Sequence, residues 1–396
     1  MIVYITLFIA VAAGIYSYRY IRRAAGRRIA NLVYLAMAAA ALTYALIKTL
    51  AEPSGYSFFR AVAIVIIFYA CFTLPLCLVG LAEDIASLIK RIFAGKWIKK
   101  PSKVLFIAAC GLAVLGLGTL VEGMVRGKTD YRVEPFEMKS GRLPAGFEDF
   151  RIVQISDLHL GSFEPDDKKL PRAFEMIREL HPDMIVLTGD ILNSNSADML
   201  PWMDYLTALE APKGKFAIIG NHDYCEYDRS LTAEGRREQM DSLFSYYRQA
   251  GFKVLDNEFV PVENRGDTIY LAGVENWGVG PFPARGDISK AADSIPDGKF
   301  TILLSHDPAH FEHIVSHYPK FVDLTLSGHT HAMQFAFRFS KNLQWSPIQY
   351  RDKYWAGPYE ENGRRLYVTR GVGYHFFPAR VGMRPEITLI TLKKED

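Results

Sequence analysis

The chain has 396 residues, 49% of them apolar, and a net charge of +3, which is length enough for two or three domains and too little charge for a general nucleic-acid-binding role. Its four cysteines, Cys71, Cys77, Cys110 and Cys225, have the spacing of neither a disulfide framework nor a zinc ribbon. Mean hydropathy lies just above zero, high for a soluble enzyme and low for a wholly membrane-embedded protein, so a mixed architecture is expected.

Residues 2–18, 29–47, 61–82 and 104–121 carry no charged side chain. Each is about long enough to cross ~30 Å of hydrocarbon as a helix. Pro75 kinks the third, which neighbouring helices accommodate. The first is a poor secretory signal, because its basic residues follow the apolar run instead of preceding it. The first connection holds Arg19, Arg22, Arg23, Arg27 and Arg28, and the third holds Lys90, Arg91, Lys96, Lys99, Lys100 and Lys103. The second is flanked only by Lys48 and Arg60. Basic connections stay cytoplasmic, so both chain ends are expected outside, with Arg126, Lys128 and Arg132 running against that bias. The expected division is a membrane domain of four transmembrane α-helices over 1–125 and a second domain over 136–396.

Beyond residue 136 the apolar runs shorten and alternate with helical patterns such as LPRAFEMIREL (170–180), as in an α/β domain. The runs share an ending. RIVQIS leads into Asp157-Leu158-His159, MIVLTG into Asp190, KFAIIG into Asn221-His222-Asp223, FTILLS into His306, and VDLTLSG into His329-Thr330-His331. One Asp or Asn after a strand is a turn residue; five such endings in order point to a site at the carboxyl ends of strands. Residues i and i+2 of an extended segment point the same way, so Asp157 is expected to converge with His159, and His329 with His331. Gly328 lets the backbone approach closely. Nitrogen and oxygen donors without thiolate suit Mn²⁺, Fe or Zn²⁺. There are more of them than one ion needs, and two ions sharing a carboxylate would use them all.

The series SDLHLG, TGD, GNHD, SHD and SGHTH, in order over residues 150–335, resembles the calcineurin-like metallophosphoesterase superfamily. The closing YVTRGVG…PARVGMRPEITLITL (367–392) resembles the end of its bacterial membrane-associated or exported subgroup. The resemblance implies an α/β fold, a four-layer αββα sandwich of two mixed sheets with helices outside. It implies one metal held by Asp157, His159 and His331 and a second by Asn221, His306 and His329, with Asp190 bridging. His222 would contact the phosphate and help protonate the leaving group. The implied reaction is attack on phosphorus by a metal-bridging hydroxide, the two cations clamping the phosphoryl oxygens. Monoesterase, diesterase and pyrophosphatase chemistry remain open. The subgroup often has two glycines after the Gly-His-x-His block, where this chain has Ala332-Met333. Asp223 and Asp307 are the expected acceptors for the ligand imidazoles, by adjacency.

Other residues are read more plainly. His310, His313 and His317 are expected on one exposed or half-buried helix face, His181 at a helix end, and Cys225 in packing. His375, in GVGYHFF, is a candidate substrate contact. The stretch 335–357 interleaves aromatics with Arg and Lys and is read as a loop and hairpin, or as a lip touching lipid. Expected partners are the lipid bilayer and a phosphate ester, either a phospholipid or a lipid-linked cell-envelope precursor. The expected location is the bacterial cytoplasmic membrane, with the catalytic domain extracytoplasmic. Two alternatives are a catalytically silent metal-binding scaffold or regulatory protein on the same fold and a transporter or receptor regulated by the second domain, the latter opposed by spans almost free of charge, with Glu83, Asp84 and Glu122 only at their edges.

Overall fold

A computed structural model of the chain describes residues 2–51, 55–97, 100–228, 230–340 and 343–395. Lys99 and two residues of the 335–357 stretch, Lys341 and Asn342, lie outside them, as does the side chain of Lys48. The chain divides into two compact units, Met1–Glu122 and Gly123–Asp396.

The first unit contains helices α1 (Ile2–Ala25), α2 (Arg27–Ala51), α3 (Gly55–Ala94) and most of α4 (Lys103–Val125). Gly26, at φ +97°, turns the chain between α1 and α2 inside the arginine cluster. Arg27–Ile47, Arg60–Ala94 and Lys103–Thr129 are long and apolar enough to cross a membrane by length and composition. These are three stretches where four were expected. The described side chains of α1, from Phe8 onward, run into Arg19, Arg22 and Arg23. Helix α3 continues past its apolar run to Ala94, so Glu83 and Asp84 lie within it and not at its edge. Tyr20 Oη donates to Glu83 Oε2 (2.7 Å) and Arg23 pairs with Asp84 (2.6 Å).

In the second unit the strands are β1 (Arg132–Ser140), β2 (Arg151–Ile155), β3 (Met184–Thr188), β4 (Lys215–Ile218), β5 (Phe252–Val254), β6 (Glu258–Asn264), β7 (Asp267–Gly273), β8 (Thr301–Leu304), β9 (Leu324–Ser327), β10 (Phe335–Ser340), β11 (Leu343–Trp345), β12 (Gly357–Glu361), β13 (Arg364–Val368), β14 (Val381–Gly382) and β15 (Glu386–Lys394). Helices α5 (Leu170–Glu179), α6 (Met203–Thr207), α7 (Ala233–Gln249), α8 (Ile288–Ala292) and α9 (Ala309–His313) fall between them. One six-stranded mixed sheet has the order β1-β15-β2-β3-β4-β5 and another β12-β13-β9-β8-β7-β6. A third, of three strands, runs β11-β10-β14. Strand β1 begins before the expected domain start at 136, because Arg132 to Ser140 pair in parallel with β15.

Strands β2, β3 and β4 are mutually parallel, as are β8, β9 and β13. Their residues are mostly buried on both faces, which is why they read as largely apolar runs. The pleat sorts them. Ile152, Met184, Val186, Ile302, Leu304, Leu324 and Leu326 form a core drawing on both large sheets. Val153, Ile185 and Leu187 turn the other way, with Phe174 of α5 and Leu243 of α7. Leu303 joins Ala291 of α8 and Phe311 of α9. Each fully buried aliphatic of this kind contributes about 2 kcal/mol of transfer free energy.

A charged pillar runs beside that core. Arg370 is buried between Glu386 (Nε to Oε2, 2.9 Å) and Glu134 (Nη2 to Oε1, 2.7 Å). Glu386 also accepts from Tyr367 Oη (2.6 Å) and Thr388 Oγ1 (2.8 Å). Removing one partner strands a buried charge, which costs more than the pair contributes. Glu386→Ala is therefore expected to destabilise the domain by roughly 3–5 kcal/mol, read as a fall in the thermal midpoint of the detergent-solubilised protein, whereas Glu137→Ala on the exposed face of β1 changes it little.

Candidate metal centre

The candidate residues sit just beyond the carboxyl ends of parallel strands from both large sheets: β2 (Asp157, His159), β3 (Asp190), β4 (Asn221, His222), β8 (His306) and β9 (His329, His331). The backbone there is not extended. Asp157, His159, Asp190, His329 and His331 have φ of 52°, 43°, 54°, 70° and 50°. Such left-handed residues cost of order 1–3 kcal/mol each and persist where surrounding structure dictates them. This corrects the expectation of same-side projection at i and i+2. Asp157 and His159 still meet, in a group with His331, but His329 parts from His331 and groups with Asp190 and His306. Within each group the ligand atoms lie within 4.8 Å of one another.

Two glycines let these turns close. Gly189 has φ +91°, and a Cβ on it would stand 2.7 Å from His306 Nδ1. A Cβ on Gly328 would stand 2.3 Å from Asp157 Oδ2. Asp157 also accepts the backbone N–H of His329 through both oxygens (3.0 and 3.1 Å).

The partner atoms assign the histidine tautomers. Nδ1–H donates to a backbone carbonyl in His159 (Leu192 O, 3.0 Å), His222 (Asn193 O, 2.8 Å) and His306 (Thr188 O, 2.7 Å). Each Nε2 is thereby turned toward the centre, the arrangement metal-ligating imidazoles use. Asp307 Oδ2 lies 3.6 Å from His329 Nε2. Asp223 does not face a ring. It accepts the N–H groups of Asp190 (2.9 Å), Gly220 (2.9 Å) and Leu192 (3.0 Å), tying the loops after β3 and β4 together. Burial and the nearby Asp190 charge push its carboxyl up to about 7.

Asp190 stands between the groups. Its Oδ1 accepts from His222 N (2.8 Å), which leaves Oδ2 at 3.2 Å from His306 Nε2 and 3.9 Å from His159 Nε2. Burial opposes charge on both Asp190 and His306. Even so, His306 and His222 hold the Asp190 carboxyl well below the usual range, and Asp190 holds the His306 imidazole up, at about 10. His306 Nε2 is buried with no hydrogen-bond partner. His159 Nε2 and His331 Nε2 face each other at 3.0 Å. The side chains gathered here offer imidazole, carboxylate and amide donors, so the residues fit borderline divalent cations. Asn221 completes the second group: its Nδ2 donates to Tyr227 Oη (2.9 Å), turning Oδ1 to within 2.8 Å of His329 Nδ1.

His375 lies against the centre, its ring centroid 4.3 Å from that of His222 and 5.0 Å from that of His159. Its Nδ1 is buried without a partner, and burial, then the charges of His222 and His331, hold the ring down at about 3. Its backbone N–H donates to Gln334 Oε1 (2.6 Å). His310 is not on an exposed face but buried, with Nδ1 2.9 Å from Ser305 Oγ and its ring stacked on Trp277, while His313 and His317 are exposed. His181 takes φ 45° just past α5, and Cys225 is buried in the core.

Two contributors escaped the sequence reading. Tyr227 orients Asn221, and its ring centroid lies 4.4 Å from that of His222; it belongs to NHDYCEY, close behind a recognised block. Arg380, fully buried, donates through Nε and Nη2 to Gly373 O (2.9 and 2.6 Å) and through Nη2 to Arg370 O (2.7 Å), behind His331 Nδ1 at 3.2 Å. Its signal was the PAR within the closing block.

Ala332 and Met333, where the subgroup often carries two glycines, have φ of 47° and 54°, and Gln334 after them has 55°. The departure keeps the left-handed path and pays for it with Cβ strain. Met333 is 56% exposed, so Met333→Gly sacrifices little packing. It is expected to stabilise the protein by about 0.5–1 kcal/mol, raising the thermal midpoint by about 1–4 °C, and Met333→Val to lower it.

Residues 150–333 match the Calcineurin-like phosphoesterase family. The chain is 33% identical over 309 residues to the uncharacterized metallophosphoesterase YkuE of Bacillus subtilis, covering 75% of this chain and 99% of that protein. It is 31% identical over 281 residues to the transmembrane protein with metallophosphoesterase domain of Danio rerio, covering 69% and 60%. It is 29% identical over 269 residues to the UDP-2,3-diacylglucosamine pyrophosphatase LpxG of Chlamydia trachomatis, covering 56% and 78%. The chain belongs to the calcineurin-like phosphoesterase family.

Proposed function

We propose that the chain is a membrane-anchored phosphoesterase with two divalent cations, Mn²⁺, Fe or Zn²⁺, acting on a lipid or lipid-linked phosphate ester. The observation that carries the reading is Asp190 Oδ2, poised between His306 Nε2 at 3.2 Å and His159 Nε2 at 3.9 Å. Asp157, His159 and His331 would hold one ion, Asn221, His306 and His329 the other, and Asp190 both. When bound, such a pair supplies charge that stabilises phosphoryl oxygens and acidifies water.

The protein's own groups do the rest. Backbone carbonyls of Leu192 and Thr188 fix the ring planes of His159 and His306, and Tyr227 fixes the amide of Asn221. His222, anchored through Nδ1 to Asn193 O, turns Nε2 toward the departing oxygen and holds the proton that oxygen needs. His375 lines the same side as a substrate contact. Beside His329 opens a groove of about 380 Å³, lined by Val279, Pro281, Phe282, Glu312, Arg351 and Tyr354 among others. Arg351 is already paired with Asp352 through two 2.7 Å contacts, so the groove suits an uncharged ester substituent better than a second phosphate.

The wider assignment follows the same reading. The second unit is a four-layer αββα sandwich, and α1 joins the three long apolar helices as a fourth span. The membrane domain is residues 1–125 and the phosphoesterase domain 136–396. With arginines at the α1–α2 turn and lysines after α3 on the cytoplasmic side, the phosphoesterase domain faces outward from a bacterial cytoplasmic membrane. Support for a lipid substrate comes from the apolar helices and from LpxG, whose name gives it a diacylated sugar nucleotide.

Elemental analysis of purified protein, paired with turnover of a chromogenic monoester and a chromogenic diester under each metal, tests this reading. Two metals per chain are expected in the parent. Asp190→Asn is expected to lose metal and at least about 10³-fold in kcat, and His222→Ala to keep both metals and lose about 10²–10³-fold. A metal-loaded parent that turns over neither ester would instead leave a silent scaffold.

A further inference from the structure

The small sheet β11-β10-β14 has two unlike faces. On β10 the side chains of Phe335 and Phe337 share one face, and Ala336 and Arg338 share the other; past a shift in register between Arg338 and Ser340, Phe339 stays with Phe337, their stacked ring centroids 6.4 Å apart. Strand β11 lies antiparallel, with Trp345 opposite Phe337 and Leu343 opposite Ser340. The Ala336 face is packed, against Ile348, Trp355 and Met383. The opposite face carries five large apolar residues that join none of the buried cores; Phe339 is 68% exposed and Leu343 59%. The described residues of both strands include no carboxylate, so little polar hydration opposes their burial in an apolar phase.

What could cover this face is indicated by what the sheet is built on. Strand β14 pairs with β10 through Phe335↔Val381 and Ala336↔Gly382. Just before it, Arg380 N donates to Gly123 O (3.1 Å), in the last turn of α4. The fit is close: a Cβ on Gly123 would lie 2.8 Å from Val381 Cγ2. Gly123 lies near the end of the apolar stretch Lys103–Thr129. The aromatic ribbon is therefore one strand away from the segment where the chain leaves its last apolar helix. On its other side it continues into the candidate centre, since His331 to Gln334 lead directly into β10.

We propose that the face of Phe335, Phe337, Phe339, Leu343 and Trp345 docks on the bilayer interface, seating the catalytic centre over lipid. Amphipathic aromatics favour that interface, and two strands with one apolar side present a flat surface to it. The proposal rests on the phosphoesterase reading for its consequence, delivery of a membrane-embedded ester, but not for the docking itself.

The test uses the full chain in phosphatidylethanolamine–phosphatidylglycerol proteoliposomes. A benzoylphenylalanine photo-crosslinker replacing Phe339 is expected to form lipid adducts, and one replacing Glu263 on β6 is not. In parallel, Phe339→Ser combined with Leu343→Ser is expected to lower turnover of vesicle-embedded hexadecyl p-nitrophenyl phosphate by at least about tenfold, with soluble bis(p-nitrophenyl) phosphate turned over as before. Absence of lipid adducts at position 339, adducts to a second protein chain, or equal loss on both esters would overturn the proposal. If the parent turns over neither ester, the phosphoesterase reading falls, while the lipid adduct still decides the docking.

Discussion

One carboxylate has to serve two groups of ring nitrogens, and much of the second unit is arranged so that it can. Asp190 sits past the end of β3, at the middle of the first sheet, where its Oδ2 reaches His159 from the neighbouring strand and His306 from the opposite sheet. That position holds only if its other oxygen is occupied, and His222 N occupies it. It also requires the loops after β3 and β4 to be locked in register, which the buried carboxylate of Asp223 does by accepting three backbone N–H groups. The core shared by the two large sheets then brings β8 and β9 close enough for His306 and His329 to arrive.

This arrangement is costly by itself. Five of the convergent residues are left-handed, and His306 Nε2 and His375 Nδ1 are removed from water without hydrogen-bond partners. Apolar packing on both sides of β2, β3, β8 and β9 offsets that cost. So does a second layer of backbone acceptors, since Leu192, Asn193 and Thr188 carbonyls each take an Nδ1 proton. Strain here has a direction: it turns the imidazoles and carboxylates inward, into the two groups. The same logic explains the buried pillar of Arg370, Glu134 and Glu386, where the charges satisfy one another and the result is structural.

The strand ends were legible because β2, β3, β4, β8 and β9, buried on both faces, carry no carboxylate or imidazole until they finish, so Asp190, Asn221 and His306 stand out against mostly apolar runs. The ordering of blocks was legible for the same reason. Which atoms would meet was not. Period-two reasoning assumes extended backbone, and the turns at Asp157–His159 and His329–His331 are left-handed, which sends His329 and His331 to different groups. Adjacency misled for Asp223, because a carboxylate next to a ligand can serve backbone N–H groups as readily as a ring. His310 hid in a short helix, α9, too brief for a periodicity to reveal that one histidine faces inward. Arg380 reaches the back of His331 from far along the chain, and Tyr227, though it orients Asn221, stands outside the recognised block, so no spacing rule reaches them.

The departure at Ala332-Met333 ties the candidate centre to the aromatic ribbon. The left-handed run from His331 to Gln334 is what turns the chain from the end of β9 into β10, so His331 and Phe335, the first aromatic of the exposed ribbon, are fixed by one bend. Gln334 then clamps His375 through its backbone N–H and Phe377 through its carbonyl. Arg380, three residues beyond Phe377, ties the loop both to Gly123 and to the back of His331. A displacement of the ribbon is therefore a displacement of His331 and His375 as well. An enzyme that met its ester in free solution would gain nothing from such a linkage, whereas one that must seat itself over lipid before it acts would have its centre set in place by the same contact that brings the substrate.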